Sequence, residues 1–401
     1  MADKLALLGG TPLRTKEFPA RNQFGEEARR AALSVFDHYS SRGQDLGSQG
    51  HFEKSYTSEF VHYQGGEGFC DAVCSGTSGL YVALGALELP KGSKVLISPI
   101  ADSGCLSAII LNHLVPKLMD TKAGHYVVSL ENIKSRIDSQ VSCVFLIHSA
   151  GIAIRDMEAI AEFCKARGIA LLEDGSQCHG GQVGNRRVGT YGDVSVFSTM
   201  NTKTHSSGGC GGLVFSKSQE IYNRVRMLAD RGKPFHETDF DPKNANQLKV
   251  PALNLSQDEI SCAIGLVGLR NLESVRLKRI ELIQYLNVVL SRQSKSCRGL
   301  PVQPGDSPFF WPIEFKENQV GCSKSAFTAA LMAEGIPINP HYSYLASDWP
   351  WLRPYLTDEF VPENAATMIA RSFNLLFNEK FNFCDMDDIA TAINKIERHY
   401  S

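Results

Sequence analysis

Between residues 71 and 215, short apolar runs alternate with stretches whose apolar positions recur every three or four residues. Strands joined by crossover helices leave this pattern, which predicts an α/β unit on a mostly parallel sheet. Residues 94–98, 142–147 and 169–172 are apolar without alternation, as expected for strands covered on both faces. Between the last two runs, Met157, Ile160, Ala161 and Cys164 share one helical face. Asp156 is placed to cap that helix and Gly168 to end it, which completes one βαβ unit. Gly76-Thr77-Ser78-Gly79 opens another helical pattern, carried by Leu80, Ala83, Leu84 and Leu87.

From 257 to 292 the apolar positions Ile260, Ile264, Val267, Leu272, Val275, Ile280, Ile283, Leu286 and Leu290 outrun an ordinary helix and predict a long or bent connector. A domain boundary is placed near its start. Residues 1–255 then form an N-terminal arm with a large α/β domain, and 256–401 the connecting helix with a smaller α+β domain. In the latter, 309–315 reads as a strand, 337–354 as a Pro-rich irregular section, and 386–396 as a closing helix.

Composition narrows the partners. Lys plus Arg (41) nearly balances Asp plus Glu (43), so no overall field draws in nucleic acid or an anionic membrane. Apolar runs fall far short of the roughly 20 residues that span a bilayer. The opening Met-Ala-Asp-Lys lacks a basic segment followed by an apolar stretch, so a cytoplasmic location is expected. The 11 cysteines contain no CxxC pair, and Cys143 and Cys262 sit inside apolar runs; reduced, mostly buried thiols are expected rather than disulfides or zinc. No His, Cys or carboxylate spacing resembles a metal-ligand set.

Three groups carry candidate chemistry, and each has an ordinary reading beside it. Gly76 to Gly79 puts glycines and hydroxyls where a helix start exposes free N–H groups, suited to a phosphate or to plain capping. Asp174 follows an apolar run at the carboxyl edge where ligands of open α/β sheets bind, although caps and loop ion pairs use the same residue type. Ser198 and Lys203 precede the glycine-rich 208–212; a lone lysine is ordinarily a solvated surface group. Together they suit pyridoxal 5'-phosphate: a carboxylate for the pyridine nitrogen, an amine for the aldehyde, and donors for the phosphate. His148 and His179, near the predicted sheet edge, read either as buried structural residues or as site lining. Trp349, Trp351 and Tyr355 read as a wall over the site or as a packed aromatic cluster.

In this ordered set the chain resembles the DegT/DnrJ/EryC1/StrS family of pyridoxal-phosphate aminotransferases, of fold type I (aspartate aminotransferase-like), which act on keto sugars and cyclitols. The resemblance runs from Leu5–Arg14 through Gly76-Thr77, the Glu173-Asp174-Gly175-Ser176-Gln177-Cys178-His179-Gly180 block, Gly192-Asp193, Phe197-Ser198 and Lys203 to Asn254 and the long helix. It implies that Lys203 is the Schiff-base lysine and later the proton shuttle, and that Asp174 holds the pyridine nitrogen. Gln177 would bond the ring's phenolic oxygen. Gly76, Ser198 and the backbone of Thr77 and Ser78 would hold the phosphate, with Asn254 reaching it from the neighbouring subunit of a homodimer. The implied reaction moves an amino group from glutamate or glutamine to a keto sugar or ketocyclitol in amino-sugar, cell-surface glycan or antibiotic-type biosynthesis.

Three departures bear on this reading. Ser103 stands where the family often has a ring-stacking aromatic, with Asp102 as a candidate replacement contact. One extra residue separates Lys203 from the glycine turn, and His205 lies two positions beyond the lysine that the family's sugar dehydratases replace by histidine. Asn254-Leu255-Ser256 and Leu375-Leu376-Phe377-Asn378 stand in for the family's Asn-x-Arg and Leu-Pro-x-His. A sugar dehydratase, suggested by His205, and a catalytically silent binding or regulatory paralogue, suggested by Ser103 and Ser256, are the alternatives.

Overall fold

The computed structural model describes residues 4–401. Two helices, α1 (Glu26–Ser40) and α2 (His51–Tyr63), precede the alternating region. There follow β1 (Phe69–Val73), α3 (Gly76–Ala86), β2 (Lys94–Ile97), α4 (Ser103–Leu111), β3 (Val115–Leu118), α5 (Leu130–Arg136), β4 (Val141–Ile147), α6 (Met157–Lys165) and β5 (Ala170–Asp174). A small hairpin, β6 (Gln182–Val183) and β7 (Arg186–Arg187), leads to β8 (Val194–Ser198), β9 (Gly212–Ser216) and α7 (Gln219–Ala229).

Seven strands form one sheet in the order β1-β9-β8-β5-β4-β2-β3, in which β9 alone runs against the rest. On one face Val95, Ile97 and Phe145 pack with Leu80, Ala83, Leu106 and Ile109 of α3 and α4. On the other, Leu96, Val144 and Leu146 belong to a cluster with Met157 and Ile160 of α6. Burial on both faces explains why these strands do not alternate. Two details differ from the sequence reading. The third apolar run extends to Asp174, which is the last residue of β5 rather than the residue after a strand. Asp156 precedes α6, but its carboxylate accepts the Leu130 N–H at 3.0 Å and so serves the first turn of α5 instead.

The connector is one unbroken helix, α8 (Glu259–Gln293), 35 residues long. Cys262, Leu269 and Leu272 pack against Tyr56 and Phe60 of α2, whereas Leu282, Ile283, Leu286 and Leu290 join the cluster around the second sheet. That sheet comprises β10 (Cys297–Gly299), β11 (Trp311–Phe315), β12 (Ile338–Asn339) and β13 (Ser372–Leu375), all antiparallel, in the order β10-β11-β13-β12. Its helices are α9 (Lys324–Ala333), α10 (Glu363–Arg371) and α11 (Phe383–Tyr400). The expected strand at 309 starts two residues late because the Phe309 N–H donates to Ala150 O at 3.0 Å, away from the sheet. The closing helix starts earlier than expected, where Asn382 and Asp385 form a reciprocal capping box.

The N-terminal arm is laced to the small-sheet side. The buried Glu334 carboxylate accepts the Ala6 and Leu13 N–H groups at 2.9 and 2.8 Å and pairs with Lys395. Arg14 pairs with Asp385, and Phe18 stacks on Phe381 at 4.9 Å. All 11 cysteines are free thiols, most of them buried. Among the described residues no helix is long and apolar enough to cross a membrane, and no cluster of three or more His, Cys, Asp or Glu is arranged to hold a metal.

Candidate active site

The carboxyl ends of β1, β2, β4, β5 and β8 converge on a cavity of about 380 Å³. Ser75, Gly76 and Thr77 follow β1; Ile100, Ala101 and Asp102 follow β2; Ile147, Asp174 and Ser198 are the last residues of β4, β5 and β8. Gln177 and Lys203 enter from the loops beyond, so the site brings together residues from Ser75 to Lys203, 128 positions apart in the chain. A roomier groove of about 590 Å³ beside α1 and α8 gathers no comparable set of groups.

Asp174 is buried, its Oδ1 accepting the Ser176 N–H at 2.9 Å and its Oδ2 facing the Cys105 thiol at 3.6 Å. Burial raises its carboxyl above the usual range, against the pull of those bonds and of Lys203. Lys203 is half-buried, its Nζ 4.6 Å from the centre of the Phe309 ring. Burial lowers its ammonium from the ordinary lysine value, with the charges of Asp174 and Asp102 opposing. Burial thus biases the Lys203 amine toward its neutral, nucleophilic form, while at Asp174 the Ser176 and Cys105 bonds and the Lys203 charge favour the carboxylate against burial.

The rest of the cradle is built from backbone and short side chains. Ser75 caps α3, accepting the Ser78 N–H at 3.0 Å. That bond corrects one expectation: the Ser78 N–H is engaged by Ser75, and Ser78 does not line the cavity. The first-turn N–H groups of Gly76 and Thr77 have no intrahelical acceptor and stand at the positive end of the helix dipole. A Cβ on Gly76 would lie 2.5 Å from the Ser198 Cβ, so only glycine lets α3 approach β8 this closely. The Ser198 N–H donates to Ser176 Oγ at 2.8 Å, and its carbonyl accepts from His179 Nε2 at 2.8 Å. Gln177 Oε1 accepts the Ala150 N–H at 2.6 Å. Asp102 caps α4 through the Gly104 N–H at 2.9 Å and lines the cavity.

Four aromatic residues that the sequence reading did not assign to the site close the opposite wall. Phe309, Phe310, Tyr342 and Tyr344 all line the cavity, with ring centres 4.9 to 5.6 Å apart along the series. They are held there because 344–346 bridges to the end of β2: Ala101 N–H donates to Tyr344 O at 3.1 Å and Ala346 N–H to Pro99 O at 2.9 Å. Trp349, Trp351 and Tyr355 are not this wall. The two indoles stack on each other 5.7 Å apart, Trp349 bonds Ser343 O, and Trp351 and Tyr355 are exposed. Ser103 starts α4 and does not line the cavity.

The histidines stand behind the site. His148 Nδ1 accepts the Ile154 N–H, so its Nε2 carries the proton and faces Glu173 at 3.3 Å. Glu173 also accepts N–H bonds from Gly189, Tyr191 and Gly192, all within 2.8 Å, which makes it a structural carboxylate. His205 is buried, with Nε2 between Tyr56 Oη at 2.9 Å and Gly265 O at 3.1 Å, and does not line the cavity. Its position removes the motive for reading it as a substitute for the lysine. Asn254 is exposed, bridged to Asp230, and outside this cavity. Cys105, also unforeseen, had one signal: it lies three residues after the cap Asp102, one helical turn on.

Residues 38–394 match the DegT/DnrJ/EryC1/StrS aminotransferase family. The chain is 26% identical to L-glutamine:2-deoxy-scyllo-inosose aminotransferase of Streptoalloteichus tenebrarius, over 99% of this chain and 98% of that one. Its fold is similar to an aminotransferase from Psychrobacter cryohalolentis (TM-score 0.85, 18% identity, 96% of this chain and 99% of that chain). It is similar also to the Escherichia coli GDP-4-keto-6-deoxy-D-mannose-3-dehydratase with bound hydrated PLP (TM-score 0.83, 18% identity, 95% and 98%), so the fold type I architecture alone does not separate the two reactions. This chain belongs to the DegT/DnrJ/EryC1/StrS aminotransferase family.

Proposed function

We propose that this pyridoxal-phosphate-dependent aminotransferase works through Lys203 and Asp174, taking nitrogen from glutamine or glutamate and delivering it to a ketocyclitol or keto sugar. The observation that carries the reading is the meeting of the Lys203 amine, its ammonium lowered from the ordinary lysine value, with the buried Asp174 carboxyl in one cavity beside the open start of α3. The residues fit the cofactor: the Gly76–Ser198 approach leaves a cradle that a Cβ would fill, and the Gly76 and Thr77 N–H groups suit a phosphate. When bound, the cofactor supplies an electron sink and a carrier for the amino group.

The chain's own residues do the rest. Asp174 is the acceptor for the pyridine N–H, oriented by the Ser176 N–H and the Cys105 thiol. Lys203 Nζ is the base that removes the proton from the substrate α-carbon and later returns one, which requires the neutral amine that burial favours. Ser198, with Gly76 and Thr77, would hold the phosphate; Gln177 and Asp102 would contact the ring; and Phe309, Phe310, Tyr342 and Tyr344, which line the same cavity, would exclude water from it. A homodimer in which the exposed Asn254 reaches the partner's cavity completes the reading, as does a large unit ending at residue 255. The named cyclitol relative supports glutamine as donor and a ketocyclitol as acceptor.

Adding glutamine to the cofactor-loaded protein should bleach the absorbance of the lysine-bound cofactor, and a scyllo-inosose-type ketone should restore it. Loss of water from the ketone with no nitrogen taken from labelled glutamine would instead establish dehydration.

A further inference from the structure

One buried ionic chain touches Lys203 from behind the cavity. Arg21, in the N-terminal arm, donates from Nη1 to Lys203 O and from Nη2 to Thr204 O at 2.8 Å, while its Nε donates to Glu379 Oε1 at 2.8 Å. The other Glu379 oxygen accepts Arg279 Nε at 3.0 Å. Arg279 Nη1 in turn donates to Pro308 O at 3.1 Å and Phe309 O at 3.0 Å. Phe309 is the ring that faces Lys203 Nζ. All three side chains are at least 85% buried. Burial works against the Glu379 charge, but Arg279 and Arg21 hold its carboxyl below the usual range.

We propose that Arg21, Glu379 and Arg279 are positioning residues that clamp Lys203 from both sides, its backbone through Arg21 and its aromatic cover through Arg279. The Lys203 loop lies in no helix or strand, so little else fixes its carbonyls. A guanidinium fork bonding two successive carbonyls sets the direction in which the Lys203 side chain leaves the backbone. The arm and the C-terminal segment brace each other: Asn378, where the family has a histidine, bonds Pro19 O at 2.9 Å, and Glu379 follows it. The clamp therefore joins three distant parts of the chain at one lysine.

This inference rests on Lys203 being the lysine that binds the cofactor, and its test separates the two. Cofactor-free wild type, Arg21→Lys, Arg21→Gln, Glu379→Gln and a Lys203→Ala control are mixed with pyridoxal 5'-phosphate, and the growth of the lysine-bound absorbance is followed over time and pH. Misplacement of the amine should slow capture by up to about 10²-fold in both Arg21 variants and Glu379→Gln. The pH midpoint of the absorbance should move as well, and the half-reaction with glutamine should lose rate with little change in half-saturation. Arg21→Lys is the sharpest case, because it keeps the charge and loses the fork. Wild-type capture rates and midpoints in folded variants, even with a lowered melting temperature, would overturn the clamp. Aggregation of all three variants would assign the triad to folding and overturn it too. Retention of the absorbance by Lys203→Ala would instead sink the lysine assignment.

Discussion

The two walls of the cavity are made in different ways. One consists of strand ends: Asp174, Ser198 and Ile147 close β5, β8 and β4, and the ladder hydrogen bonds that hold those strands also hold these side chains. The other consists of Phe309, Phe310, Tyr342 and Tyr344, which lie in irregular segments held by a few long-range bonds to Ala150, Pro99 and Ala101. Asp174 and Ser198, two groups that must keep a fixed geometry toward a bound cofactor, sit on the rigid wall. The aromatic wall shapes what can enter.

Substitutions can test that division. The largest effect is expected for Lys203→Ala, which should abolish both the lysine-bound absorbance and turnover. Asp174→Asn should keep the fold and cut the half-reaction rate by roughly 10²-fold or more, as for loss of one preorganised charge-stabilising contact; stopped-flow bleaching with glutamine measures it. On the opposite wall, Tyr342→Phe and Phe310→Leu should leave the donor half-reaction within about 10-fold while shifting acceptor preference, since removing a contact or a few methylenes from a pocket alters discrimination by roughly 10–200-fold. A donor rate that collapses in Phe310→Leu but survives in Asp174→Asn would reverse the assignment of the two walls.

The smallest effect lies away from the cavity. Burial, aided by the Asp71 charge, pushes the Glu53 carboxyl up to about 8. Because the folded state holds this proton more tightly than the unfolded state, its contribution is complete below the unfolded value of 4.5 and is lost as pH rises through 8. Glu53→Gln should therefore flatten the fall in melting temperature across that window without changing the glutamine half-reaction. An unchanged slope would show that Glu53 does not carry the proton. Asp174 is also raised by burial but feels Lys203, so its own pH response should appear in rate before stability.

The polar groups of the rigid wall were legible in the sequence because they close recognisable apolar runs, Asp174 at the end of the run from 169 and Ser198 at the end of β8; Lys203, in the loop five residues on, was legible from its place before the glycine-rich turn. The aromatic wall was not, because nothing local marks Tyr342 as a neighbour of Ile100; a bridge between Ile100 and Leu345, 245 positions away, places it. Trp349 and Trp351 read equally as a wall or as a packed cluster for the complementary reason, since bulk and nearby prolines say nothing about which way a loop turns; the stacked indoles fit the second. His205 lies close to Lys203 in sequence, but Tyr56 and Gly265 draw its ring to the other side of the loop. Ser78 shows the same limit at finer scale: the helix start was read correctly, but which of its N–H groups the cap engages depends on the Ser75 rotamer.

The most direct measurement is borohydride reduction of the cofactor-loaded protein followed by peptide mapping. Expected is a single pyridoxyl-phosphate mass on the peptide carrying Lys203, absent after pretreatment with glutamine. The same mass on any other lysine, or none on an intact chain, would contradict the assignment of Lys203 to the cofactor.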